Sequence, residues 1–302
     1  MKQFLTLTVK GALMGAANVI PGVSGGTVAL LTGIFEPLIN AVKSFDLTAL
    51  KLLFRGKIKD AVQHVHLSFL IPVGIGIVVS ILSFARLLEY LFETHALYVW
   101  AFFFGLILAS VFFVIRKVGR VSTAVIFLFS LGTVLAAGIA FLPPAGENAS
   151  VPYLFLCGIV AMCSMILPGL SGSYVLLLMG NYQLVMIDSV VHLRLEILLP
   201  VAVGAVAGLA VFTRFLSWVF KHFHDQTIAL LTGFIFGSLS ILWPWKTAIF
   251  QTFESAGKVK EKVIGYHYAL PDLSIETLIA LGVMAAGIVL LTLMEKSAGH
   301  RS

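Results

Sequence analysis

Pro21-Gly22-Val23-Ser24-Gly25-Gly26-Thr27-Val28 and Pro168-Gly169-Leu170-Ser171-Gly172-Ser173-Tyr174-Val175 are two versions of one phrase, each set in an otherwise apolar stretch. A helix cannot run through either. Proline brings no N–H and clashes with the preceding turn, and glycine loses the most backbone entropy on ordering. Backbone that leaves its helix at membrane depth persists only where it is buried in protein or lines a cavity. Paired interruptions at corresponding places in two halves of a chain point to the substrate site of a transporter. The spacing therefore predicts a broken or re-entrant helix around each motif.

Composition agrees with a membrane setting. Of 302 residues, 59% are apolar and 11% charged, with a mean hydropathy of +1.03, which is not the balance of a soluble domain. The net charge of +6 and pI near 9.3 do not indicate a nucleic-acid partner, because no long Lys/Arg cluster alternates with aromatics. Cys157 and Cys163 share one apolar stretch and read as packing residues, forming neither a disulfide framework nor a metal cluster. No metal site and no cofactor is expected. Lys2 ahead of an apolar run imitates a secretion signal, but Lys10 interrupts that run and the internal repeat already includes Gly11. The segment is expected to stay in the chain.

The repeat extends well beyond the motifs. At an offset of 147, residues 21–33 match 168–180 at eight of thirteen positions, and Gly11 meets Gly158. At an offset of 128, Pro72 meets Pro200, Gly76 meets Gly204, Phe84 meets Phe212, Arg86 meets Arg214, Gly105 meets Gly233 and Ser110 meets Ser238. The difference between the two offsets places a 19-residue insertion in the first half, between about Phe45 and Gln63. It sets Lys51, Arg55, Lys57 and Lys59 among Leu47, Leu50, Leu53 and Phe54, the pattern of an interfacial amphipathic helix or of a solvated basic loop.

Six stretches approach the ~20 apolar residues a crossing requires: roughly 68–92, 97–115, 121–142, 197–220, 227–247 and 275–294. Three fall in each half. The broken segments near 8–42 and 155–190 each return the chain to its starting side, whether as a re-entrant hairpin or as a pair of spans. Each half then crosses an odd number of times, and the second half enters the membrane upside down. The expected fold is an all-α integral membrane protein, one domain over 1–302, with inverted-topology repeats at 1–144 and 152–302. Each repeat is a broken or re-entrant hairpin plus three transmembrane helices. With the N-terminus in the cytoplasm, inner segments hold 13 basic residues and outer ones hold Arg194, Lys246, Lys258, Lys260 and Lys262. Both termini are thus expected inside. The long outer segment, Phe250 to Ser274, runs against the rule by collecting three lysines.

Helices that begin just after Ser24 or Ser171 would present unpaired N–H groups and a positive dipole end to an anion. Gly22, Gly25 and Gly26 allow close approach of backbone, and Ser24, Thr27, Ser171 and Ser173 offer hydroxyls. The motif is no Walker loop, since no lysine follows its glycines. Small residues also serve plain helix packing, the simpler account of single glycines such as Gly105 and Gly233; packing alone does not call for paired breaks. Arg86 and Arg214 recur at equivalent positions about four-fifths along their helices. Each either snorkels to the headgroups or offers a forked guanidinium to a phosphate or carboxylate, one for each side of the membrane. Asn18, Glu36, Asn40, Asn181, Gln183 and Asp188 flank the motifs, which leaves a coupling-ion site open. His64/His66 and His222/His224 lack metal-ligand spacing, and Tyr90, Trp100, Trp218, Trp243 and Trp245 fit an aromatic belt.

The segments Met14-Gly15-Ala16-Ala17-Asn18-Val19-Ile20-Pro21-Gly22-Val23-Ser24-Gly25-Gly26-Thr27 and Ile166-Leu167-Pro168-Gly169-Leu170-Ser171-Gly172-Ser173 resemble the bacterial polyprenyl-phosphate transporter family. The likeness spans essentially the whole chain. It implies a plasma-membrane translocase, or flippase, that returns undecaprenyl phosphate to the cytoplasmic leaflet for synthesis of peptidoglycan and other cell-wall polymers. A phosphate head would suit the motifs, Pro21 and Pro168 included, together with Arg86 and Arg214, while the isoprenoid tail stays in lipid. The implied partners are a polyprenyl phosphate, membrane lipids and a proton or sodium ion that couples transport. An alternative from another class is an undecaprenyl-pyrophosphate phosphatase, whose Pro-Gly-x-Ser-Arg-Ser motif is similar. Here Gly25 and Gly172 stand in place of that arginine, and no Glu-x-x-x-Glu pair or motif histidine supplies acid/base chemistry, so no catalytic residue is assigned. An ion-coupled importer of a small anion is the third reading.

Overall fold

The computed structural model describes residues 2–19, 25–189, 192–255 and 258–299. Helix α1 (Lys2–Val19) stops just ahead of Pro21, and α2 (Gly25–Leu31), α3 (Phe35–Lys43), α4 (Leu47–Phe54) and α5 (Ile58–His64) follow as short pieces. The 49 residues of α6 (Leu67–Ile115) are two helices end to end, because the backbone leaves helical geometry at His95 (φ −141°, ψ 40°). Phe92 and Trp100 meet across that break with ring centroids 5.1 Å apart, whereas a straight helix would advance about 12 Å between them. Then come α7 (Thr123–Ala140), α8 (Val151–Ile166), α9 (Gly172–Leu178), a π-helical turn α10 (Gln183–Asp188), α11 (Leu195–His222), α12 (His224–Leu242) and α13 (Ile275–Gly299).

The helical membrane class holds. Among the described residues, four helices are long and apolar enough to cross alone: Tyr90–Ile115, Leu195–His222, His224–Leu242 and Ile275–Leu293. The number becomes six if two bent pairs count as one span each: α2 with α3 at 117°, and α5 with Leu67–Ser83 at 65°. The expected 121–142 span is a shorter apolar helix, Thr123–Ile139. The expected 227–247 span ends at Leu242, because Pro244 cannot continue it.

The all-α expectation needs one addition. Where an outer loop was expected, β1 (Lys246–Ser255) and β2 (Lys258–Tyr268) pair antiparallel, Lys246 opposite Tyr268. The basic insertion is two helices, α4 and α5, parted at Gly56 (φ 71°). Leu47, Leu50, Leu53, Phe54 and Ile58 are exposed on it.

Element boundaries recur at the offsets read from sequence. Helices α1 and α8 end 147 residues apart, α2 and α9 coincide at both ends, and α6 and α11 start 128 apart with Pro72 and Pro200 each in the sixth position. Packing recurs as well. A Cβ at Gly11 would strike the Val73 carbonyl, as one at Gly158 would strike that of Val201. Helix α7 lies on α12 and α13 lies on the second arm of α6, with Gly132 against Leu230 and Gly287 against Phe102. The third long helix of each half therefore seats on the other half. Helix α12 is the inner element, 72% buried along its apolar window, against 17% for α11 and 22% for α13. The two outer helices present leucine and valine to the surroundings, as lipid contact requires.

Candidate functional site

Helices α2 and α9 have seven residues each. At 1.5 Å per residue that is about 10 Å, a third of the ~30 Å hydrocarbon thickness. Neither is long enough to cross alone. Six of the seven residues of α2 are buried, leaving only Gly26 partly open, so this helix is embedded in the bundle. The two short helices turn off alike, at Gly33 (φ 71°) and Gly180 (φ 75°).

The two motifs touch. Thr27 is 1% exposed, and its Oγ1 accepts the Gly169 N–H at 3.1 Å from 142 positions away. Gly169 itself sits at φ +81°, with its α carbon so close to the Phe234 carbonyl that a side chain would collide. Pro168 and Gly172 are buried, Ser171 is half-buried and Ser173 exposed. The Ser171 and Ser173 hydroxyls lie 2.9 Å apart. Pro21, Gly22 and Ser24 fall outside the described residues.

The first helix end is not left open as the sequence suggests: the Asn18 side-chain oxygen accepts the Gly25 N–H at 2.7 Å. At the repeat-related place, Met165 packs against Gly172 and offers no such oxygen. With seven residues the dipole of each helix is also small. The polar groups at this junction are backbone N–H groups, hydroxyls and a carboxamide. These groups bind oxygen-rich anions without committing a charge.

Sequence reasoning missed two residues. Lys10 Nζ donates to the Thr32 carbonyl at 2.7 Å, and Lys117 Nζ donates to the Leu30 and Leu31 carbonyls at 2.9 and 3.2 Å. Two ammonium groups thus neutralise the negative end of α2. The corresponding end of α9 receives neutral donors instead: the Ala145 N–H on Leu178 at 2.7 Å and the Tyr153 hydroxyl on Met179 at 2.9 Å. A lysine inside an apolar run was the available signal for Lys10. Nothing in the sequence signals Lys117, whose partner is a main-chain carbonyl 86 to 87 residues away.

Arg214 is not drawn to the junction in the same way. Arg214 is exposed and donates to the Ala210 carbonyl one turn back at 2.6 Å, and the Arg86 side chain is outside the described residues. The flanking polar residues divide. Asn40 accepts from the Ser217 hydroxyl at 3.0 Å, Lys43 reaches the same hydroxyl at 3.3 Å, and Glu36 pairs with His224 at 3.5 Å, tying α3 to α11 and α12. Asn181, fully buried, exchanges two bonds with the Asn148 backbone at 2.9 and 2.7 Å. It is a structural clamp between the loop after α7 and the turn after α9. Gln183 keeps a buried amide nitrogen without a partner among the described residues. No cluster of three metal-binding side chains occurs among the described residues.

The family model described as undecaprenyl phosphate translocase-like matches residues 14–260, which include both motifs. A "Polyprenyl-phosphate transporter" of Vibrio cholerae serotype O1 is 36% identical over 98% of this chain and 97% of its own length. A protein of the same name from Staphylococcus aureus is 33% identical over 81% of this chain and 88% of its own. No solved structure matches the chain.

Proposed function

Since the chain belongs to the undecaprenyl phosphate translocase-like family, we propose that it carries a polyprenyl phosphate, undecaprenyl phosphate first, across the bacterial plasma membrane. In this reading it returns the carrier lipid of peptidoglycan and other envelope polymers to the cytoplasmic leaflet, and it acts as a transporter and not an enzyme. The halves are inverted repeats with both termini in the cytoplasm. The reciprocal seating of α7 and α13, each on the other half, supports that relation.

The observation that carries the proposal is the Gly169 N–H to Thr27 Oγ1 bond, which draws both interruptions to one place. A phosphate held there meets the two motifs together, with Asn18, Ser171 and Ser173 around it, while an isoprenoid tail remains in lipid. Arg86 and Arg214 serve the head at the two membrane faces. A proton or sodium ion is the candidate coupling ion.

Purified protein in liposomes tests this. Undecaprenyl phosphate placed in the outer leaflet should reach the inner one faster than in protein-free vesicles, and undecaprenyl pyrophosphate should release no phosphate. Arg86→Ala or Arg214→Ala should slow transport, with lysine restoring part of it because an ammonium lacks the bidentate fork. Phosphate release well above the detergent blank would replace the transporter with a phosphatase.

A further inference from the structure

The stem of the β hairpin holds a cation that the junction does not use. Lys246 Nζ lies 3.6 Å from the centre of the Trp100 ring and 4.2 Å from that of Tyr266, and it donates to the Ile241 carbonyl. An ammonium has three donors, so two are left facing aromatic surfaces. Among the side chains that are described, no carboxylate stands within 4.0 Å of it; the ion pairs found among them engage Asp46, Asp60, Glu196, Glu36 and Asp225 elsewhere. A charge removed from water without a counter-charge is costly, and burial pulls the Lys246 ammonium down to about 7. An anion beside it would restore the full charge and engage the two remaining donors.

The same stem borders an open groove of about 300 Å³, lined by Phe141, Ser240, Trp243, Tyr268, Ala269 and Leu270. Tyr268 is the cross-strand partner of Lys246, and the Trp243 indole donates to the Ala269 carbonyl at 2.9 Å, so ammonium and groove share one frame. Tyr174, next after Ser173, donates its hydroxyl to the Ile139 carbonyl at 3.5 Å, and Phe141, two residues on, meets Tyr268 with ring centroids 5.7 Å apart. The stem is thus linked to the second motif through the end of α7. The groove is lined mainly by apolar side chains, and the Lys246 ammonium stands on the same stem, opposite Tyr268, an arrangement suited to an amphiphile whose charge is at one end.

We infer that the hairpin stem is the outer-face docking site for a lipid-borne phosphate monoester, with Lys246 taking the phosphate and the Phe141–Tyr268–Leu270 groove taking the isoprene units beside it, ahead of transfer to Ser171 and Ser173. This inference rests on the polyprenyl-phosphate reading above.

The test uses the full-length protein in liposomes and a diazirine-bearing short-chain prenyl phosphate, with the matching prenol and inorganic phosphate as separate arms. Light should attach the prenyl phosphate within residues 240–270. Lys246→Gln should raise the probe concentration for half-maximal labelling about tenfold, the scale of a lost charge-assisted hydrogen bond. Lys246→Arg should recover most of it, and the prenol's weaker labelling should be the same in all three proteins. Exposed Leu270→Asp gives a second check that does not depend on a Lys246 variant folding: it should depress labelling by phosphate and prenol probes alike. Equal labelling of Lys246→Gln and wild type, or of Leu270→Asp and wild type, would overturn the inference. Displacement of the probe by inorganic phosphate at equal concentration would overturn its lipid part. Undecaprenyl phosphate transport is followed in parallel: wild-type protein that transports but labels independently of Lys246 defeats only the docking site. Protein that never transports defeats the function it rests on.

Discussion

The Thr27 hydroxyl accepts the Gly169 N–H in a place closed to solvent, so replacing it separates packing from polarity. Thr27→Val keeps the shape and removes the acceptor, leaving a buried N–H unpaired at a cost of about 1–3 kcal/mol. Purified Thr27→Val should melt at a lower temperature and move undecaprenyl phosphate more slowly than wild type, whereas Thr27→Ser should keep the bond and most of both properties. A valine variant that matches wild type in both assays would show that contact to be incidental. The two motifs are legible in the sequence because proline and glycine in an apolar run announce a break wherever they stand. Their meeting is not legible. A hydroxyl and a main-chain N–H carry no mark of each other, nor does the sequence show that the Asn18 side-chain oxygen accepts the Gly25 N–H.

At the scale of elements, α4 shows how a short helix on the insertion is secured. The Asp46 carboxylate accepts from the Thr48 and Ala49 N–H groups at 2.8 and 3.0 Å and from His64 Nε2 at 3.0 Å, fastening α4 to the end of α5. The Ala49 N–H bond, ahead of His64 and the Thr48 N–H, holds the Asp46 carboxyl below its ordinary 3.8. A depressed carboxylate stabilises the folded state above the unfolded value and loses that effect as pH falls through the folded one. Protection of the Thr48 and Ala49 amides from hydrogen exchange should accordingly hold at neutral pH and fade only below about 3.8. Asp46→Ala should abolish it at every pH. Unchanged protection in Asp46→Ala would mean that burial of α4, not its cap, fixes the helix. The amphipathic character of this insertion is readable from Leu47, Leu50, Leu53 and Phe54 among lysines; its division at Gly56 is not, because a glycine alone does not say whether a helix bends or ends. The hairpin was open to a closer reading: residues 258–263 alternate lysine with valine and glutamate, and 266–268 alternate aromatics, the two-residue period of a strand.

For the whole molecule, duplication explains more than any single motif. Boundaries, helix-breaking prolines and close glycine contacts recur at the offsets visible in the sequence, while the exchange of α7 and α13 between halves comes only from three-dimensional packing. Chemistry does not recur with the same fidelity. Helix α2 ends on Lys10 and Lys117, and α9 ends on a backbone N–H and a tyrosine hydroxyl, so the two ends differ in charge although the frames match. If the halves are inverted, the lysine-capped end faces the cytoplasm, in line with the 13 basic residues assigned inside and 5 outside. Native Cys157 is buried and Cys163 half-buried, so both are replaced by serine or alanine before single cysteines are introduced at Gly146 and at Arg55. Both sites are exposed in the fold, Gly146 in the segment between α7 and α8 and Arg55 at the end of α4. A membrane-impermeant maleimide applied to intact cells should modify the Gly146→Cys protein at once and the Arg55→Cys protein only after the membrane is opened. Reversed labelling would turn the whole orientation over and keep the inversion. Modification of both in intact cells would end the inverted arrangement itself, because an odd number of crossings in the first half cannot leave both positions on one side.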